Sequence, residues 1–409
     1  MTAARKWLGQ TMHDTWLRTE ELRLLAFARH VVQPDGMAAW LDDDGKPDPS
    51  HPEQTWITGR MAHVHYLASL RGVPGCDPIA RRLLQGLAGV ARDQEFGGCN
   101  DTVPGDPKAD KAAYTHAFVV LAASTGTIAG DPAARELLTE VLDLVDEKFW
   151  DPRFGRFVDT WSHDWSELRS YRGINANMHM TEAMLAATDA TGDPKYAARA
   201  VGICEFVLER ASKNGWRVPE HFNDEWVADL DYNKDSPADQ FKPYGATVGH
   251  AFEWSRLIAQ SAPLSNDRQA FLDGARSLFA QGIADGWARD GQPGFVYTVD
   301  WNGKPVVSDR LHWVVAEAIA AAAVLNSITG LETYEASYAE WWDYAATYLI
   351  DVDRGSWHHQ LDADNQPSST VWDGKPDVYH AYQAVLISQL PPSTSVASAV
   401  LSSIVPRSS

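Results

Sequence analysis

Residues 309–330, DRLHWVVAEAIAAAAVLNSITG, decide the fold. They carry helical periodicity and close on Thr329-Gly330, a helix stop. The body of the segment is apolar and alanine-rich, yet its first turns hold Arg310, His312, Trp313 and Glu317. Trp313 and Glu317 are four residues apart and so share one helical face. Polar and aromatic groups gathered at one end of an apolar helix need a reason, and the same arrangement recurs along the chain.

Periodicity predicts helices over 13–32, 56–71, 77–92, 111–125, 131–147, 175–191, 194–210, 246–262, 266–284, 309–328, 332–351 and 376–390. Asp131-Pro132 opens one of them, and Thr191-Gly192-Asp193-Pro194 separates two others. Every second helix has a polar start: Trp56, Arg60 and His63; Tyr114 and His116; Asn175, Asn177, His179 and Glu182. Further on come His250, Glu253 and Trp254, then the 309 segment, then Asp377, Tyr379 and His380. The helices between them read as ordinary amphipathic packing helices. Connections alternate too. Those at 72–76 and 192–193 are short, whereas 93–110, 148–174, 211–245, 285–308 and 352–375 are long, and long loops in a compact domain are usually functional. Some read as hairpins: FVYTVDWNGKPVV alternates around Asn302-Gly303, a favoured type I′ turn pair.

Short loops at one rim and long loops at the other fit six inner and six outer helices closing into a ring. The fold class expected is all-α, a barrel of about twelve helices with short β-hairpins on the long-loop rim, where the active site would lie. No Gly/Ser-rich linker interrupts residues 1–409, so one catalytic domain is expected, with 391–409 a small, polar tail that frays.

Composition narrows the chemistry. The 409 residues carry 35 basic and 55 acidic side chains, a net charge of −20. Such a surface repels phosphate backbones and anionic lipid, which argues against nucleic acid and membrane partners. The apolar run VVAEAIAAAAVL is too short to span a bilayer, and the N-terminus has no apolar run of signal-peptide length. Cys76, Cys99 and Cys204 cannot all pair and match no zinc or redox spacing, which fits a reducing, cytoplasmic setting. Seventeen tryptophans are enough to fill a core and still line a pocket. Indole faces suit sugar rings.

His179/Glu182 and His250/Glu253 are i,i+3 pairs that share a face. Such pairs hold metals in helical bundles. They also serve as oriented acid/base groups with no metal, and that reading is preferred here. The spacing does not rank His250 or His380 above His179.

The segments TWITGRMAHVHYLA, YRGINANMHMTEAM, HFNDEWVADLDYNKDSPADQFKPYGATVGHAFEWSRL, VYTVDWNGKPVVSDRLHWVVAEAIAAA and VWDGKPDVYHAYQ closely resemble the N-acylglucosamine 2-epimerase superfamily. They are most similar to its aldose–ketose isomerase branch of mannose and sulfoquinovose isomerases. The resemblance runs from about residue 7 to 390. It implies an (α/α)6 barrel and isomerisation of a monosaccharide (mannose, fructose or lyxose) through an enediol, with no metal and no cofactor. It implies His250 in GHAFEW and His380 in DVYH as the catalytic pair, with Arg60, His179, Glu253, Trp313 and Glu317 in the pocket and Trp56 stacking on the ring; Asn177, on the polar start it shares with His179, is expected to bind substrate with them. His380 would carry the proton between carbons 2 and 1. His250, oriented by Glu253, would open the ring and exchange protons at oxygen, while Glu317 would hold hydroxyls. His63, His65 and His312 are expected to be structural or rim residues.

Sulfoquinovose isomerases carry glutamines where this chain has His359 and Pro376. Neither residue replaces a glutamine amide, so a neutral hexose is favoured. A mannose 2-epimerase, a sulfoquinovose isomerase and, more distantly, an inverting glycoside hydrolase with two opposed carboxyls are the alternatives. A homo-oligomer is compatible with the sequence.

Overall fold

The computed structural model describes residues 6–106 and 108–404. Among them are thirteen α-helices, numbered in chain order: α1 (Thr11–Phe27), α2 (Thr55–Leu70), α3 (Cys76–Ala88), α4 (Ala113–Ile128), α5 (Pro132–Leu144), α6 (Ile174–Thr191), α7 (Pro194–Lys213), α8 (Val248–Ser261), α9 (Arg268–Gly286), α10 (His312–Thr329), α11 (Glu332–Tyr344), α12 (Tyr379–Ile387) and α13 (Val396–Ile404). The first twelve match the twelve expected helices. Extended structure is confined to pieces of two or three residues.

Deeply buried helices alternate with one-faced ones. In α2, fourteen residues are buried, Arg60, His63 and His65 among them. In α5 only Ala134, Leu137, Leu138, Val141 and Leu142 are buried, the i, i+3, i+4, i+7, i+8 stripe of an amphipathic helix. Among the described residues α10 alone is long and apolar enough to cross a membrane, and 72% of it is buried inside the protein.

The described residues fall into two compact units, divided within α7. Unit 1 holds Cys204–His221, Ala228–Pro392 and the chain before Ala28. Unit 2 holds Ala28–Ile203, Phe222–Val227 and the chain from Ser393. In unit 1, α8 packs on α9 and α10, α10 on α11 and α12, and α12 on α1. In unit 2, α2 packs on α3 and α4, and α4 on α5 and α6.

The deep helices are entered from extended backbone. The first N–H groups of α8 and α10 donate to Tyr297 O and His359 O in unit 1, and those of α2 and α4 to Asp101 O and Asp159 O in unit 2. The orphan donors of a helix N-terminus are thus partly met by the long loops, which ties loop to helix start. Buried cations reinforce the tie. Lys111 bonds Asp93 at 2.6 Å and Gly97 O at 2.7 Å. Lys375 bonds Asp351 at 2.7 Å and Gly355 O at 2.9 Å. Arg310 grips both oxygens of Asp290 at 2.8 and 2.9 Å. Each aspartate opens an Asp-x-x-x-Gly loop, and Gly97, Gly294 and Gly355 all have positive φ. A buried ammonium or guanidinium survives because it is paired and hydrogen-bonded.

Two local expectations are corrected. The hairpin around Asn302-Gly303 forms, Thr298 pairing with Val307, but not on a type I′ turn. Asp300 Oδ1 accepts from the N–H groups of Asn302 and Lys304, and only Gly303 takes positive φ. The aspartate's Asx turn leaves Asn302 no need for the left-handed region. The expected fraying tail contains α13, whose Val396, Ala397, Ala399 and Val400 are buried against α2, α4 and α6. Its small residues pack closely, and Ser395 anchors it by donating to Asp189 at 2.6 Å. Residues 405–409 lie outside the described ones.

Candidate active site

In unit 1, His250 is the third residue of α8, Trp313 the second of α10 and His380 the second of α12. The Trp313 ring centroid lies 5.4 Å from that of His250 and 5.8 Å from that of His380. The indole therefore sits beside both imidazoles. Gly249 makes this possible, since a Cβ there would stand 2.2 Å from Trp313 Cζ3.

Each histidine is held by a carboxylate. His250 Nδ1 lies 2.8 Å from Glu220 Oε2, and Glu220 Oε1 accepts the Thr247 N–H at 3.3 Å. His380 Nδ1 lies 3.0 Å from Glu317 Oε1, and Glu317 Oε2 accepts Arg256 Nε–H at 3.0 Å. A carboxylate only accepts, so Nδ1 carries the proton in each ring and the neutral imidazole keeps its basic lone pair on Nε2. The histidines are 7% and 6% exposed, and their carboxylate partners 4% and 1%. The two dyads are thus nearly dry but not sealed, the condition in which fixed charges act strongly.

The roles expected of two glutamates change. Glu253 does not orient His250; Glu220 does. Helical i,i+3 spacing puts Glu253 on the right face, but Glu220 arrives from the loop after α7, and no local pattern marks it. Glu253 lies 3.7 Å from Arg256 Nη2. Glu317 was expected to hold sugar hydroxyls, whereas both its oxygens are engaged, one by His380 and one by Arg256.

Behind His380, His312 and His359 stack at 3.8 Å. His359 Nε2 donates to Asp377 O at 3.1 Å. Burial, then the neighbouring His312, hold His359 well below the usual histidine range. It stays a neutral wall, in keeping with its failure to match a glutamine.

Unit 2 has a polar cluster of its own. The Arg60 guanidinium lies between Trp56 at 4.7 Å and Phe118 at 4.5 Å, and donates to Tyr114 Oη at 3.1 Å. His179 meets the Tyr114 ring at 5.1 Å and the Phe118 ring at 4.8 Å. Phe118, which the helix pattern did not single out, thus completes a clamp on Arg60. Asn177 is not poised for a sugar. Its amide donates to Phe157 O and Gly173 O and accepts from Phe157 N, all within 3.1 Å, and it is fully buried. It braces the loop entering α6. His63 bonds Thr125 Oγ1 at 2.7 Å and His65 bonds Met61 O at 2.8 Å, as structural residues would. His116 joins them: it donates to Ala112 O and accepts from Cys99 N, with burial lowering its pKa to about 4.

Residues 36–384 match the family model of N-acylglucosamine 2-epimerase. The chain belongs to the N-acylglucosamine 2-epimerase family. Within that family it is 47% identical over 400 residues to a D-mannose isomerase of Thermobifida fusca, covering 96% of this chain and 98% of the relative. It is 44% identical over 401 residues to a D-mannose isomerase of Pseudomonas cannabina pv. alisalensis, covering 96% and 97%. A D-mannose isomerase crystal structure superposes with a TM-score of 0.84 at 27% identity, over 97% of this chain and all of that one. The fold is therefore the helical barrel of the family's epimerases and isomerases, as the alternation of helices led one to expect.

Proposed function

We propose that the protein is an aldose–ketose isomerase that interconverts D-mannose and D-fructose by metal-independent proton transfer through an enediol. One observation carries the reading: two imidazoles, each fixed by a buried carboxylate through Nδ1, flank a single indole and keep Nε2 as the basic nitrogen. The D-mannose isomerase relatives support the choice of sugar.

In this mechanism His380 Nε2 takes the proton from carbon 2 of the open-chain aldose and returns it to carbon 1. The carbonyl oxygen at carbon 1 gains a proton as the enediol forms, and the hydroxyl at carbon 2 loses one as the ketone forms. His250, held by Glu220, performs that exchange after opening the ring. Positioned proton transfer of this kind contributes about 10²–10⁴-fold. Arg60, Trp56 and His179 are proposed as substrate-binding residues on the family resemblance, with Trp313 an apolar wall. The family model's run from 36 to 384 supports treating the chain as one catalytic domain, and a cytoplasmic setting remains part of the proposal.

The test is mannose in D₂O, followed by NMR. Fructose bearing deuterium at carbon 1 is the expected product. Glucose in its place would make the protein an epimerase, and activity lost to a chelator and restored by a divalent cation would sink the metal-independent mechanism.

A further inference from the structure

We propose that Arg256 is a positioning residue for His380: its guanidinium offsets the charge of Glu317 and so sets the pH at which His380 can act as a base. The inference rests on the reading of His380 as the proton carrier.

Arg256 is 1% exposed and lies on α8, six residues beyond His250. Its Nε donates to Glu317 Oε2 at 3.0 Å, its Nη1 to Gln260 Oε1 at 3.3 Å, and its Nη2 lies 3.7 Å from Glu253 Oε1. Glu317 turns its other oxygen to His380. The contacts therefore run Glu253, Arg256, Glu317, His380 through the interior of unit 1. A guanidinium does not lose its proton here, so it is a permanent cation. A buried carboxylate beside an imidazole favours the protonated ring, which cannot accept a proton from carbon. Sharing that carboxylate with Arg256 weakens the pull, while the Nε–H bond fixes its orientation. His380 stays oriented by Glu317 without being kept as imidazolium.

The other charged or titratable groups around His380 do not replace this cation. On α10, His312 lies 6.3 Å from it, with His359 stacked behind. Tyr379 flanks it on α12 at 4.8 Å. Lys375 is committed to Asp351, and Asp377 caps α12 through the Tyr379 N–H. From α1, Glu21 accepts from Tyr382 at 3.0 Å.

The test is an NMR titration of the His380 ring, without sugar, in wild type, R256Q and R256K. R256Q should raise the His380 pKa by about one unit, leaving roughly tenfold less neutral imidazole on the acid side. The acid limb of kcat on mannose should move up with it. R256K keeps the cation and should titrate within a few tenths of a unit of wild type, and R256M, which removes the charge but keeps an unbranched side chain, makes the same reading as R256Q if R256Q folds poorly. A packing role alone would lower folded yield in both variants and leave the titration unmoved. That result, or an equal shift in R256K, overturns the proposal. Because the titration uses no substrate, failure of wild type to isomerise mannose would strike the proposed function and leave this measurement standing.

Discussion

Gly249→Ala should damage activity more than its size suggests. In a helix the change would ordinarily stabilise by up to about 1 kcal/mol, less in the first turn where Gly249 stands, because alanine is the better helix former. Here the new Cβ would meet Trp313 Cζ3 at 2.2 Å, Cη2 at 2.5 Å and Cε3 at 2.9 Å. Ordinary contact begins near 3.4 Å, so the indole has to retreat by about 1.2 Å. The Tyr297 ring centroid stands 6.1 Å from that of Trp313, and His250 and His380 lie beside the same indole. Overpacking of this kind costs about 1–3 kcal/mol, enough to cancel the helix gain and leave a net loss of up to about 2 kcal/mol. The larger effect is on chemistry, since a misplacement of about 1 Å near reacting groups can cost about 10²-fold. The assays are urea unfolding and kcat/KM on mannose, with Trp313→Leu as the relieving partner. The double variant should recover stability without recovering activity, a coupling that a double-mutant cycle reads directly. G249A with raised stability and wild-type turnover would show that the indole has room to move, and the packing argument would fall.

Two further predictions follow from the dyads and the buried histidines. Glu220→Gln removes the carboxylate that holds His250 Nδ1–H at 2.8 Å, so the downfield proton resonance of that hydrogen bond should move or vanish, whereas Glu253→Gln should leave it in place; the reverse ranking by proton NMR would restore Glu253 as the orienting group. His65 and His116 are held near pKa 4 by burial, against about 6.5 in the unfolded chain. The unfolded state therefore takes up protons first, and stability should be full above about pH 7 and decline as pH falls from about 6.5 towards 4, each unit of separation being worth about 1.4 kcal/mol per group. Urea midpoints at stepped pH check this, and either histidine titrating near 6.5 in the folded protein would refute it.

The chain's own pattern determined the helices, their alternation and the helix starts that carry His250, Trp313 and His380. These are local properties: apolar period, stop signals and side chains displaced from an otherwise apolar segment. The segment 309–330 already holds the argument, with Glu317 and Trp313 on one face. Tertiary structure alone decided who partners whom. Glu220 reaches His250 from a loop thirty residues upstream, where local spacing offered Glu253. Arg256 looked like one more residue of α8 until α10 brought Glu317 against it. Asn177 shares the polar start of α6 with His179, yet its amide is used up by the Phe157 and Gly173 backbone. The small apolar residues of α13 read as a loose tail because only burial against α2, α4 and α6 gives them a purpose. Periodicity fixes which face a side chain takes. Which oxygen meets which nitrogen depends on loop closure and on helices distant in sequence, and no local pattern encodes that.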